Sequence, residues 1–172
     1  MQEIHITSGI PASGKSTWAK QYVADRLYDN IVYLSRDELR AGLRTMLNCT
    51  EYFPLPAAEE WNIWIEETIN PAIDVGESVV IDQTTINRDS LIKLLASINI
   101  PVECKLVFHF FLTPLEECLR RNVFREGFER VPDDVIQRMH KGFFKTMSST
   151  VIYDILENIG KQIADIQIVR HD

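Results

Sequence analysis

The chain predicts an α/β fold, a mainly parallel central sheet of about five strands with helices on both faces. Three observations carry that expectation. Short runs rich in β-branched residues alternate with stretches of helical period. The expected helices begin at side chains suited to capping them. The length, 172 residues with 45% apolar and 25% charged composition, suits a single domain over residues 1–172 with its own core.

Taken in order, Glu3-Ile4-His5-Ile6-Thr7 alternates apolar with polar and stops at Ser8-Gly9, a strand running into a turn. Gly14 to Leu27 carries a helical pattern. Ile31-Val32-Tyr33-Leu34 is a second strand and Val79-Val80-Ile81-Asp82 a third. Lys105 to Leu112 is a fourth, and Ala164 to Val169 a fifth. Ser35-Arg36-Asp37-Glu38 is a capping box with Ser35 as the cap. Thr113-Pro114-Leu115-Glu116 has the same form, with Thr113 as cap and Pro114 at the first helical position. Trp61, Trp64, Ile65, Ile69 and Ile73 recur at helical spacing and read as a stripe facing the core.

Composition excludes several classes. The balance of 18 Lys and Arg against 25 Asp and Glu gives a net charge of −7, which argues against a basic module that coats nucleic acid. No apolar run approaches the roughly 18–20 residues that cross a bilayer, and the N-terminus lacks the pattern of a secretory signal. A cytoplasmic protein without a membrane partner is the expectation, and the sequon Asn48-Cys49-Thr50 is then a chance match. Cys49, Cys104 and Cys118 form no CxxC pair and read as buried thiols. His5, His109, His140 and His171 show no metal-ligand spacing, so a dedicated zinc site is not expected.

The most specific motif is Gly9-Ile10-Pro11-Ala12-Ser13-Gly14-Lys15-Ser16-Thr17, which matches GxxxxGK[ST] between an expected strand and helix. Glycines let backbone N–H groups converge on phosphate oxygens, and the helix N-terminus adds positive partial charge. Lys15 is placed to reach the outer phosphates, Ser16 to hold Mg²⁺ and Thr17 to assist at an inner phosphate. Asp82 ends an apolar strand, so its carboxylate meets the crevice where open α/β sheets bind ligands. There it serves the metal or the acceptor. No guanine-reading NKxD motif occurs, which leaves a compact phosphotransferase as the reading.

Such an enzyme needs a base and cations. Asp37 and Arg40 are three apart at a helix start and share a face, as a base and an anion-holding group or as an ordinary helix-end pair. Arg120-Arg121-Asn122-Val123-Phe124-Arg125 places Arg121 and Arg125 at i,i+4 on one expected helix. Either an anion lies between them, or Glu117 pairs with Arg121 and Glu129 with Arg125. Gly127 before Val131-Pro132 suits a hinge, with a lid region over about 114–132. Arg138, Lys141 and Lys145 continue a basic stripe, so residues 118–145 carry +3. Residues 45–87 hold eight acidic side chains and no Lys or Arg.

These motifs resemble the kinase domain of phage-type polynucleotide kinases. The phosphate loop with Trp18, Ser35-Arg36-Asp37-Glu38-Leu39-Arg40, Ile81-Asp82 with Asn87, Arg121-Asn122 with Arg125, Val131-Pro132 and Met139 occur in that family's order, over roughly residues 1–145. The resemblance implies a P-loop kinase fold with a helical lid. It implies transfer of the ATP γ-phosphate to the 5′-hydroxyl of DNA or RNA, with Mg²⁺. Gly9, Pro11, Ala12, Ser13, Gly14, Lys15, Ser16 and Thr17 would then hold the triphosphate, with Ser16 and Asp82 toward the metal. Asp37 would be the general base, Arg40 would steady the acceptor or the scissile phosphate, and Asp82 would help bind the acceptor strand. Arg121 and Arg125 would close over the phosphates. The family's 3′-phosphatase activity is not expected, because the chain has no room for that domain. Acceptors outside nucleic-acid ends stay open: a hydroxymethylated base, a small molecule, or none in a non-catalytic nucleotide-binding protein.

Overall fold

The structure is a computed structural model that describes residues 1–26, 29–48, 57–143 and 148–172. Leu27, Cys49, Thr50 and Lys145 lie outside the described residues. Five strands form one sheet: β1 Glu3–Ser8, β2 Ile31–Ser35, β3 Ser78–Asp82, β4 Lys105–Phe111 and β5 Asp165–His171. Their order is β2-β3-β1-β4-β5, and every pairing is parallel. The sheet is the one expected, with each strand within two residues of its expected bounds. Ile4 and Ile6 of β1, Val79 and Ile81 of β3, and Leu106 and Phe108 of β4 are fully buried, as the middle of a parallel sheet requires.

The helices are α1 Lys15–Ala24, α2 Arg36–Leu47, α3 Ala57–Trp64, α4 Asn70–Asp74, α5 Arg88–Ser97, α6 Leu115–Val123, α7 Asp133–Phe143 and α8 Ser149–Asn158. α1 starts one residue later than expected and ends at Ala24. Residues Ile65–Ile69 form a π-helical turn between α3 and α4. That turn explains the apolar stripe. Trp61, Ile65, Ile69 and Ile73 are spaced by four, which drifts around a helix of 3.6 residues per turn. The wider π turn absorbs the drift, and all four are buried. Trp64 does not belong to the stripe: it falls one residue out of phase and is 39% exposed.

The capping boxes divide. Ser35 caps α2 as expected, its hydroxyl accepting from the Glu38 N–H at 3.4 Å. Thr113 does not cap α6. Pro114 is the N-cap residue, and the Thr113 hydroxyl donates instead to the Ser13 carbonyl at 2.8 Å. α6 stops at Val123, so Arg125 lies beyond its end rather than on the helix with Arg121. Cys104 and Cys118 are buried and free. Among the described residues, no helix is long and apolar enough to cross a membrane.

Topology fixes where a ligand meets the sheet. The chain runs from β1 to β2, returns to β3, and then crosses β1 to reach β4 on its other side. In open parallel sheets the crevice lies beyond the carboxyl ends of the strands where the order reverses, here above β1.

Candidate active site

The loop leaving β1 is built for close backbone approach. A Cβ on Gly9 would lie 2.8 Å from Ser13 Oγ and 3.0 Å from Phe111 Cβ, so only glycine fits against β4. Ala12 and Gly14 have positive φ, 64° and 99°, which curl the loop into α1. Among the described residues no side chain caps α1, whose first N–H groups face the loop. The Thr113 hydroxyl pins the loop from the β4–α6 connection. Among the described residues Ser13 Oγ has no partner where it lies buried in the loop, a polar group suited to a phosphate oxygen.

Lys15 begins α1 with its side chain buried, and its ammonium donates to the Ile10 carbonyl at 2.9 Å. Burial holds its pKa down at about 8, with Asp82 opposing and the Arg125 charge adding to the fall. Asp82 and Arg125 therefore both bear on the lysine. Ser16 is half-buried and Thr17 exposed in the same turn.

Asp82 is buried at the end of β3. Its Oδ1 accepts from Thr7 Oγ1 at 2.9 Å and its Oδ2 from the Tyr33 hydroxyl at 3.2 Å. Ser35, at the end of β2, pairs in register with Asp82. Asp37 and Arg40 follow directly on α2 and form an ion pair. The pair is asymmetric: the Asp37 side chain is 62% exposed and that of Arg40 only 13%. Lys20 of α1 bridges to Glu38 of α2 at 2.7 Å and joins the two helix starts.

Arg121 reaches the phosphate loop, with one guanidinium nitrogen 3.8 Å from the Cβ position of Gly14. Glu117 holds Arg120 at 2.7 Å and Arg121 at 2.6 Å. Hydrogen bonds from those two arginines hold the Glu117 carboxyl down at about 2. Arg125 does not meet the Glu129 carboxylate; its bond goes to the Glu129 backbone carbonyl at 3.4 Å. The segment after α6 is clamped at its base by buried Asn122, which donates to the Val131 carbonyl at 2.7 Å and accepts the Val131 N–H at 3.1 Å. Gly127, with φ of 55°, lies inside the clamped segment, in a short 3₁₀ turn Gly127–Glu129. Arg138 and Lys141 are exposed on α7.

Oxygen donors at Ser16 and Asp82, beside a loop shaped for phosphates, suit Mg²⁺ with a nucleoside triphosphate. The motif reading missed Thr7, Tyr33 and Thr113, which hold Asp82 and the loop in place. Their signal was positional: Thr7 follows the Ile6–Ile81 pair in register, beside Asp82.

This fold with its loop defines a P-loop kinase domain. The chain belongs to the AAA_33 family, described as an AAA domain, whose model matches residues 4–146. An L-seryl-tRNA(Sec) kinase of Methanococcus maripaludis is 29% identical over 143 residues, which cover 80% of this chain and 51% of that protein. The chain thus spans about half the length of this curated relative. Its fold is similar to a chain in the Pnkp1/Rnl/Hen1 RNA repair complex, with TM-score 0.66 and 22% identity over 84% of this chain and 45% of that one. It is also similar to a sugar kinase from Janibacter, with TM-score 0.59 and 16% identity over 99% of this chain and 85% of that one.

Proposed function

We propose that the chain transfers the γ-phosphate of ATP to a hydroxyl acceptor, the 5′-hydroxyl end of DNA or RNA, with Asp37 as general base. One observation carries the reading: β1, β2 and β3 deliver the phosphate loop, Asp37 and Asp82 to the carboxyl end of the parallel sheet, while Arg121 reaches the loop from α6. Lys15 exchanges the Ile10 carbonyl for phosphate oxygens. Ser16 and Asp82 are the residues that would hold Mg²⁺, which, when bound, neutralises charge between the phosphates. Asp37 accepts the acceptor proton, and Arg40 holds it in place and offsets negative charge. Arg121 and Arg125 meet charge on the moving phosphoryl group, and the segment clamped by Asn122 covers it from water.

The relatives support a nucleic-acid acceptor, since one is named for a tRNA-borne seryl group and another belongs to an RNA repair complex. The absence of Lys and Arg from residues 45–87 favours a second reading, a small uncharged acceptor. Labelled ATP offered with 5′-hydroxyl DNA, 5′-hydroxyl RNA, modified-base DNA, nucleosides and sugars separates them. Label on a polynucleotide end supports the first reading, and label on sugars or nucleosides alone replaces it with the second. With the acceptor found, Asp37→Asn should lower kcat by about 10²–10⁴ and leave ATP binding unchanged. Retained turnover removes Asp37 from the base role.

A further inference from the structure

The Asp82 carboxylate is gripped from both sides by hydroxyls to which phosphoryl transfer itself assigns no task. Thr7 is the next-to-last residue of β1, near its end toward the crevice, and is 0% exposed. Its hydroxyl accepts the Gln83 N–H at 3.2 Å and has one proton to give. The Gln83 carbonyl is 3.4 Å away, whereas Asp82 Oδ1 is 2.9 Å away and charged, so the proton goes to Asp82. Tyr33 comes from the other flanking strand, β2, and donates to Oδ2. A tyrosine phenol keeps its proton at ordinary pH and an ionised carboxylate can only accept, so the proton in this contact is the phenol's.

This grip decides which way the carboxylate turns. A buried carboxylate near a buried ammonium gains most by closing directly on it. Here Lys15 bonds the Ile10 carbonyl instead, while Asp82 spends one acceptor position of each oxygen on a neutral hydroxyl. Each carboxylate oxygen keeps a second acceptor position. Fixing both oxygens fixes the plane in which those remaining positions lie.

We propose that Thr7 and Tyr33 are positioning residues for Asp82, holding its carboxylate off Lys15 and in the orientation that serves a divalent cation bound with nucleotide. The proposal rests on the reading of Asp82 as the acidic group on the metal side of the site.

The test uses the full chain with Thr7→Val, Thr7→Ser, Tyr33→Phe and Asp82→Asn. ATP binding is followed by calorimetry in EDTA and across a Mg²⁺ titration, with melting temperature as the folding control. Thr7→Val and Tyr33→Phe should each raise the Mg²⁺ concentration needed for half-maximal enhancement of ATP binding by about tenfold, the lower end of the range for losing a residue that orients a metal ligand. ATP affinity in EDTA should stay the same, and Thr7→Ser should restore the wild-type titration. Should Thr7→Val fail to fold, because it strands a buried carboxylate and the Gln83 N–H, Tyr33→Phe carries the test, since its ring stays and its site is half-buried. Wild-type Mg²⁺ dependence in Tyr33→Phe and Thr7→Val, with the dependence lost in Asp82→Asn, overturns the positioning role alone. Unchanged dependence in Asp82→Asn overturns the reading of Asp82, and the positioning role falls with it.

Discussion

Lys15 stands near neutrality because it is buried without a carboxylate in direct contact. Its pKa of about 8 comes first from burial, with Asp82 too indirect to cancel that cost. A bound triphosphate brings several negative charges to the ammonium and raises its pKa. The sign follows. Below about pH 7 the lysine is protonated with or without nucleotide, so affinity does not vary with pH through this group. Above about pH 8 the free protein has lost the proton and the complex regains it, so affinity falls as pH rises. Calorimetry of ATP binding at pH 8.5 should show proton uptake, read as a dependence of the heat on buffer ionisation enthalpy. Lys15→Arg should remove the pH 8.5 uptake, because guanidinium stays protonated. Equal heats in all buffers at pH 8.5 would show that Lys15 is already charged in the free protein. Ser13 and Gly9 belong to the same economy of the loop, one offering an unpartnered hydroxyl and the other a missing Cβ.

Among the elements, the half of the sheet formed by β1, β4 and β5 carries an unexpected structure: a chain of three histidines. His109 lies across from Thr7, two residues beyond His5, and His171 lies across from Phe111, two residues beyond His109. All three therefore share one face on a diagonal. His5 Nδ1 and His109 Nε2 are hydrogen bonded at 2.9 Å, and His109 Nδ1 and His171 Nε2 at 3.0 Å. Glu3 and Tyr22 bond His5 Nε2 at 3.1 and 2.9 Å. An ionised Glu3 only accepts, so the chain is ordered with each Nε2 protonated and the Nδ1 atoms of His5 and His109 accepting from the next ring. Trp18 of α1 covers the chain, its ring centre 3.9 Å from that of His109. Lys105 and Arg26 add positive charge near Glu3 and His5, which disfavours a further proton. Burial, then the neighbouring imidazoles, push His109 down to about 3, and burial also lowers His5 and His171. A depressed folded pKa means that the unfolded chain, with His near 6.5, binds more protons as pH falls from about 6.5 toward about 3. The chain's contribution to stability is complete above about pH 6.5 and is lost on acidification through that window. Urea denaturation of wild type and His109→Gln at pH 7.5 and 5 checks this. The variant should be the less stable at pH 7.5, and the gap should narrow at pH 5. A gap that is constant with pH would assign His109 a packing role only.

For the whole molecule, what could be read from the sequence was local, and what could not was made by register. β-branched runs between turn residues located all five strands, because a parallel sheet buries both faces of its middle strands. The Ser35 hydroxyl accepts the Glu38 N–H as the local pattern implies, whereas the Thr113 hydroxyl is turned to the Ser13 carbonyl, a partner a hundred residues away in sequence that the local pattern does not contain. The π turn that buries Ile69 and leaves Trp64 at the surface answers to tertiary packing, and the helical period does not contain it. In the site, the phosphate loop, Asp37, Arg40, Asp82 and Arg121 could be placed from motifs, but Thr7, Tyr33 and the histidine chain come together only across strands. Charge follows the same division and leads to a test of the acceptor. The net −7 resolves into +3 over residues 118–145 and −10 over the remainder, so the excess of positive charge is confined to that stretch. A protein of this kind has few phosphates within reach. With about two to four contacts, a single-stranded 5′-hydroxyl oligonucleotide should bind with a log–log salt slope of about −1.4 to −2.8, far from the roughly −10 of a protein that covers a duplex. Replacing exposed Arg138 and Lys141 together by alanine should flatten the slope by about 1.4 if both meet the strand, without changing ATP binding. Fluorescence anisotropy of a labelled oligonucleotide between 50 and 300 mM salt, roughly the range in which such slopes are read, makes the measurement. A flat titration together with label transfer to a free nucleoside or sugar would move the acceptor from a polynucleotide end to a small molecule.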